Sequence, residues 1–248
     1  MHLTPSHNNF LESATIPNHI QMPSTTTVYT AIFGEYDNLL EIPEEFIESG
    51  VDYICFTDDP LLKSSTFKII VVNDQEMSPS RSNRNFKING ARHLNDYNRS
   101  IYIDGNQAIS GRLSELFDHL DTNNGTIAAF RHSRCRCSYI ESADVIRLSL
   151  DDKAIVQAQM RLYESEQFPK NYGMTWNGLL VRYHTEKTVA FCDLWYQELL
   201  KHSFRDQLSL MYVSWKNNVP VSIIDDDSKK TVRSRYVVAQ PHINPKRR

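Results

Sequence analysis

The chain has 248 residues, 40% of them hydrophobic and 10% aromatic, enough for a sizeable core, which excludes a globally disordered protein. Its 27 Lys and Arg against 30 Asp and Glu leave a formal charge of -3, without the basic surplus of a nucleic-acid binder. No apolar run approaches the roughly 18 residues of a membrane span, and Met1 to Thr27 lacks the basic start and apolar stretch of a secretory signal, so the expectation is a cytoplasmic protein with no integral membrane segment.

Residues 1–26, rich in Ser, Thr, Pro, Asn and His, read as a flexible N-terminal arm. The body of the protein is expected over 27–224, with 225–248 as a C-terminal tail. Val28 to Phe33 is a β-branched and aromatic run closed by Gly34, which predicts a buried strand and a turn. Asp52 to Thr57 and Phe67 to Val72 predict two more strands. Ser80 to Leu94 predicts one helix, with Ser80 or Ser82 as its cap. Arg99 to Asp104 is a fourth strand, broken by Gly105, and Arg112 to Leu120 has helical apolar spacing.

Thr126 to Phe130 predicts a strand, and Tyr139 to Glu166 two helices parted near Ser149 to Asp152. Gly178 to Tyr183 is a strand, Thr188 to His202 and Phe204 to Lys216 are helices, and Val219 to Ile224 ends the regular structure. Strands alternating with helices predict a single α/β domain, a mostly parallel, Rossmann-like sheet flanked by helices. No GxGxxG follows the first strand, so a dinucleotide fingerprint is absent. Cys135 and Cys137 have one residue between them, and no second pair offers zinc-ligand spacing. The four cysteines therefore read as reduced thiols in or near the core.

Open α/β sheets bind ligands beyond the carboxyl ends of their strands, so the strand ends are the places to inspect. Three carry informative groups: Gly34-Glu35-Tyr36-Asp37, Thr57-Asp58-Asp59 and Asp104-Gly105-Asn106. Asp104 and Asn106 offer the hard oxygens that Mg²⁺ or Mn²⁺ takes alongside phosphate, although Asp-Gly is also an ordinary turn dipeptide. Arg81, Arg84 and Lys87 recur every three residues, as in a phosphate clamp or a solvated helix face. Arg205-Asp206-Gln207 opens the last long helix, where an acid complements the dipole or belongs to a polar site. His132 and His184 each follow a strand and are candidate site residues.

The stretches VYTAIFGEYDNL, DYICFTDD, RSNRNFKI, LNDYNRSIYIDGN, FRHSRCRCSYIESA, IVQAQMRLY, GLLVRYH and FCDLWYQELLKHSFRDQLSLMYV, in this order, carry a resemblance. They resemble the glycosyltransferase-like domain of plant mucilage and pectin-related proteins and of many bacterial proteins, and more distantly the glycogenin-like transferases. The resemblance implies a GT-A-like fold and a nucleoside-diphosphate-sugar donor. It implies a Mn²⁺ or Mg²⁺ site at Asp104 and Asn106, with His184 as a further ligand. Asn106 stands where a full DxD motif has its second carboxylate. By the same resemblance Thr57 and Asp58 contact the nucleoside, Arg81, Arg84, Lys87 and Arg205 meet the phosphates, and Asp206, Gln207 and His132 act at the sugar. The implied reaction is sugar transfer to a glycan or lipid-linked hydroxyl. The alternatives are a non-catalytic nucleotide- or sugar-binding module and a nucleotidyltransferase.

Overall fold

The β-branched and aromatic runs early in the chain become the middle of a sheet. In the computed structural model, which describes residues 25–73, 77–225 and 235–244, β1 (Thr26–Ile32) pairs in parallel with β2 (Val51–Thr57) on one side and β4 (Arg99–Ile103) on the other. β3 (Lys68–Val71) extends the β2 side. Beyond β4 come β7 (Thr175–Tyr183), β6 (Ile127–Arg131) and β8 (Ser222–Ile224), giving the order β3-β2-β1-β4-β7-β6-β8. β7 is antiparallel to both of its neighbours, and the other pairings in this sheet are parallel. All seven β1 residues are buried, as a central strand covered on both faces requires.

One sheet face packs Tyr29, Ala31 and Leu180 under α1 (Pro79–Ile88), α6 (Glu186–Lys201) and α7 (Asp206–Lys216). The other packs Val28, Ile101 and Val181 against Leu113, Leu116 and Phe117. α4 (Ser138–Arg147) and α5 (Lys153–Ser165) pack with α7 around Val145, Val156 and Leu208. The result is the expected single α/β domain, mostly parallel and Rossmann-like. All four cysteines are free and buried, as expected. Among the described residues no helix is long and apolar enough to cross a membrane.

Four local expectations need correction. The helix expected to run unbroken from Ser80 to Leu94 stops at Ile88, and a short helix, α2 (Gly90–His93), follows. The break is built by the core. Tyr29 Oη donates to the carbonyls of Phe86 (3.3 Å) and Lys87 (3.2 Å). Arg182, fully buried on β7, donates to the carbonyls of Lys87 (2.6 Å) and Ile88 (2.7 Å). The last carbonyls of α1 are thus satisfied by side chains instead of by another helical turn. Gly90 permits this approach, since a Cβ there would lie 1.8 Å from Tyr29 Oη. Nor do Ser80 and Ser82 cap: Ser78 holds the N-cap position without a side-chain bond, and Pro79 begins the helix.

The Arg112–Leu120 segment forms a 3-10 turn, Leu113–Phe117, before α3 (Asp118–Asn123). Regular structure also continues past Ile224. β5 (Gln107–Ile109) pairs antiparallel with β9 (Val237–Ala239), so regular structure reaches into residues 225–248. Most of the N-terminal arm, Asp226, Asp227 and Lys246-Arg247-Arg248 lie outside the described residues.

Candidate functional site

β1 has β2 on one side and β4 on the other, so the connections leave β1 in opposite directions. The crevice at such a reversal is where open α/β sheets take ligands. A cavity of about 340 Å³ lies there, at the carboxyl ends of β1 and β4. Its floor is the end of β1 (Ala31, Ile32, Phe33) and the Asp104-Gly105-Asn106 turn. Gly105 allows the turn to press on β1, since a Cβ there would meet Ile32 Cγ1 at 2.9 Å.

α1 forms one wall. Ser80, Asn83, Arg84 and Lys87 line the cavity, the i, i+3, i+4, i+7 pattern of one helical face. Phe86 points away, stacked on Phe33 at 5.5 Å and on His93 at 4.1 Å. Arg81 is exposed and outside the lining, so the basic stripe expected from Arg81, Arg84 and Lys87 contributes only its last two members. Steps of three residues drift around a helix, and two such steps carry Arg81 off the face.

Lys87 is 3% exposed and joins the two acids of the site. Its Nζ lies 3.1 Å from Asp104 Oδ1 and 3.2 Å from Asp206 Oδ2. Asp206 Oδ1 faces Arg84 Nε at 3.0 Å, and its Oδ2 also accepts from Asn177 Nδ2 at 3.1 Å. Burial alone would push the Asp206 carboxyl up. Lys87, Arg84 and Arg205 outweigh it and hold the group down at about 2. Such a carboxylate is a poor proton acceptor, and its two oxygens are already occupied. It anchors two cations at the start of α7, where the helix dipole also favours negative charge.

Asp104 is different. Its Oδ1 takes Lys87 and the Tyr102 hydroxyl (2.9 Å), while the side chain remains 32% exposed. Burial first, and Asp104 second, push the Tyr102 phenol well above its ordinary value, so it stays protonated and donating. Among the described residues no hydrogen bond reaches Asp104 Oδ2, which leaves one hard oxygen for a cation. Asn106 Oδ1 accepts from Gln107 Nε2 at 3.0 Å, and its Nδ2 donates to the Gln240 carbonyl at 2.8 Å. A carboxylate and an amide oxygen do not make a full cage. They do fit Mg²⁺ or Mn²⁺, which typically uses one or two protein oxygens with phosphate and water for the rest.

β7 supplies a further wall because it runs against its neighbours, bringing its first residues to the carboxyl ends of β1 and β4. The β6–β7 register jumps from Ala129–Leu180 to Phe130–Trp176, which takes Asn177 and Gly178 out of that ladder. The Gly178 carbonyl instead accepts the Asp104 N–H at 2.8 Å. Trp176 lines the cavity beside it. Gln207 is also in the lining and donates to the Thr175 carbonyl at 3.3 Å.

The other expected residues are spread out. Thr57 is buried, and Asp58 is exposed and accepts the Gly34 N–H at 3.0 Å. Both stand at the end of β2, outside the cavity lining. His184 lies at the other end of the sheet from Asp104, so a shared metal is a correction to make. Its Nε2 is 2.8 Å from Ser100 Oγ and its Nδ1 2.7 Å from the Tyr97 carbonyl. The reason is the antiparallel β7, whose final residue sits beside the beginning of β4. His132 follows β6, two strands from β4, outside the cavity lining, in a group with Cys135 and Glu141.

Two cavity residues were not predicted as a pair. His242 Nδ1 lies 2.9 Å from Asp37 Oδ1, and the His242 ring is 4.7 Å from that of Tyr36. All three line the cavity. Asp37 stands in a strand-end turn that had a sequence signal. Its partner, 205 residues later in the apparent tail, had none.

The family model for the TOD1/MUCI70, glycosyltransferase-like domain matches residues 13–238. No curated protein matches the chain. The match spans most of the sequence, so the chain belongs to the TOD1/MUCI70 glycosyltransferase-like family.

Proposed function

With membership of that family as the premise, we propose that the protein transfers a sugar from a nucleoside-diphosphate donor to a hydroxyl of a glycan or lipid-linked acceptor. The observation that carries the reading is the convergence of Asp104, Arg84 and Lys87 on one cavity at the sheet's topological switch. The lining cations Arg84, Lys87 and Arg205 are matched by Asp37, Asp104 and Asp206. A charge-balanced cavity accepts a diphosphate best together with a divalent cation.

Asp104, helped by the Asn106 amide oxygen, would hold Mn²⁺ or Mg²⁺, which when bound neutralises charge on the diphosphate. In the transfer, the bond from the sugar's anomeric carbon to phosphate oxygen breaks and a bond to the acceptor oxygen forms. The acceptor's hydroxyl proton leaves and the nucleoside diphosphate departs with the electron pair. Charge therefore grows on the leaving group, beside Lys87 and Arg84, which their pairing with Asp206 holds in place. Gln207, next to Asp206, is placed to contact the sugar. Trp176 and Tyr36 offer flat apolar surface for a base or sugar ring. A cytoplasmic setting and a part in polysaccharide synthesis belong to the same proposal.

A second reading, a binding module without turnover, is favoured by one observation: Asp206 is saturated by ion pairs and poorly suited to take the acceptor's proton. A thermal-shift screen of nucleoside diphosphates and nucleotide sugars, with and without Mn²⁺, tests binding, because a ligand of the folded state stabilises it by mass action. Release of nucleoside diphosphate from the stabilising nucleotide sugar then separates transferase from module. No shift with any nucleotide at millimolar concentration would overturn both readings.

A further inference from the structure

The loop between β6 and α4 holds a second cluster, apart from the donor cavity. His132 follows β6, Cys135 comes three residues later, and Glu141 rises from the first turn of α4. All three side chains are close to fully buried: Cys135 is 5% exposed, and the His132 and Glu141 side chains 8% and 11%. Their ligand atoms converge. Cys135 Sγ is 3.2 Å from His132 Nδ1 and 3.1 Å from Glu141 Oε2, and His132 Nε2 is 3.8 Å from the same oxygen.

Zinc with tetrahedral N, S and O ligands at its usual bond lengths sets neighbouring ligand atoms about 3.4–3.6 Å apart. His132 Nδ1 already accepts the Arg134 and Cys135 N–H groups at 3.3 and 3.1 Å, so Nε2, 3.8 Å from Glu141 Oε2, is the nitrogen that meets the cation. The candidate ligand atoms lie within 4.8 Å of one another, and binding draws them together. Charge supplies a second, independent argument. Glu141 is a buried carboxylate, and among the described ion pairs its basic partner is His132, with no Lys or Arg beside it. Buried carboxylates are ordinarily paired with a cation or bound to a metal.

We propose that His132, Cys135 and Glu141 bind one divalent cation of the Zn²⁺ class. Binding replaces the Cys135 S–H bond by an S–metal bond, and the proton goes to solvent. A thiolate with an imidazole and a carboxylate selects Zn²⁺ or Co²⁺, whereas the oxygens at Asp104 select Mg²⁺ or Mn²⁺. The two sites are therefore distinct in chemistry as well as in place. With three protein ligands, the fourth position is open to water. The cation's role is to brace the start of β7, because the His132 N–H donates to the Met174 carbonyl (2.9 Å), next to Thr175 and the cavity residue Trp176.

The test uses the full chain, stripped with chelator and titrated with Co²⁺. One equivalent should produce the intense tetrahedral d–d bands and the near-ultraviolet sulfur-to-cobalt charge-transfer band, both bleached by Zn²⁺. Cys135→Ser should abolish the charge-transfer band, and Glu141→Gln should weaken Co²⁺ binding by roughly 10- to 100-fold. Asp104→Asn should leave the band unchanged, which assigns it to this cluster. Native mass spectrometry of the unmutated chain gives a readout that needs no variant to fold: one retained Zn²⁺ is expected. No retained metal and no band at micromolar Co²⁺ would overturn the proposal. So would a band that survives Cys135→Ser and disappears in Cys137→Ser.

Discussion

Lys87 Nζ and Asp206 Oδ2 meet at 3.2 Å, with their side chains only 3% and 5% exposed. The contact joins the wall helix α1 to the start of α7. It also sets the charge of the cavity, since removing either partner takes one of two opposite charges from the other: Lys87 keeps Asp104, and Asp206 keeps Arg84.

Asp206→Ala should therefore destabilise the fold by about 3–5 kcal/mol, the usual cost of breaking a buried pair, since Arg84 loses its carboxylate and Lys87 one of two. Urea unfolding measures it. Adding Lys87→Met to Asp206→Ala should recover part of the loss, because one buried cation short of a partner disappears. Strictly additive losses would mean that the ion pair is not the cause.

Asp104→Asn should keep the fold and lose turnover by about 100- to 1000-fold, the scale of removing one electrostatic group from a transfer site. The assay is nucleoside diphosphate released per enzyme, with unfolding followed in parallel. Undiminished release would remove Asp104 from the donor site.

Acid should unfold the protein in two separable windows. Burial, reinforced by the Arg182 charge and opposed by the hydrogen bond to Tyr97, lowers His184 from 6.5 to about 4. The unfolded chain takes that proton first, so about 3 kcal/mol is present above pH 6.5 and lost as the pH falls towards 4. Asp206 is lowered from 3.8 to about 2, against the effect of its burial, by Lys87, Arg84 and Arg205. Its contribution, about 2 kcal/mol, is present above pH 4 and lost as the pH falls through 2. Unfolding free energy measured against pH should show both slopes. His184→Gln should flatten the upper one and Asp206→Asn the lower.

Arg182→Met should cost about 3 kcal/mol or more, since the carbonyls of Lys87 and Ile88 lose charged donors in a dry core. Tyr29→Phe should cost about 1 kcal/mol. In both variants α1 loosens, so nucleotide affinity should fall along with stability. Lost stability at unchanged affinity would show that α1 keeps its place without these donors.

Much of the fold was legible because its strands are apolar runs with clear breakers, such as Thr26–Ile32 before Gly34 and Arg99–Ile103 before Asp104. The direction of a strand was not. Placing the antiparallel β7 needs knowledge of its neighbours, and without it His184 was set beside Asp104 instead of beside Ser100. The end of α1 was hidden for a related reason, as a side chain on a distant strand, Arg182, sets it. At the site, Asp104, Lys87 and Asp206 each carried a local signal in strand end, helix face or helix start. Asn177 and His242 carried none, because their partners are distant in sequence.

The pairing of β5 with β9 has a consequence for the order in which the protein is made. Asn106 and Gln240, which it brings together, are 134 residues apart. At about 5–20 residues per second, translation of the intervening chain takes on the order of ten seconds. During that interval the nascent polypeptide already has Asp104 and Lys87 but lacks His242 and the wall it forms. A product released early by the ribosome would hold the cavity's charges without its closure, so completion of the site coincides with completion of the domain.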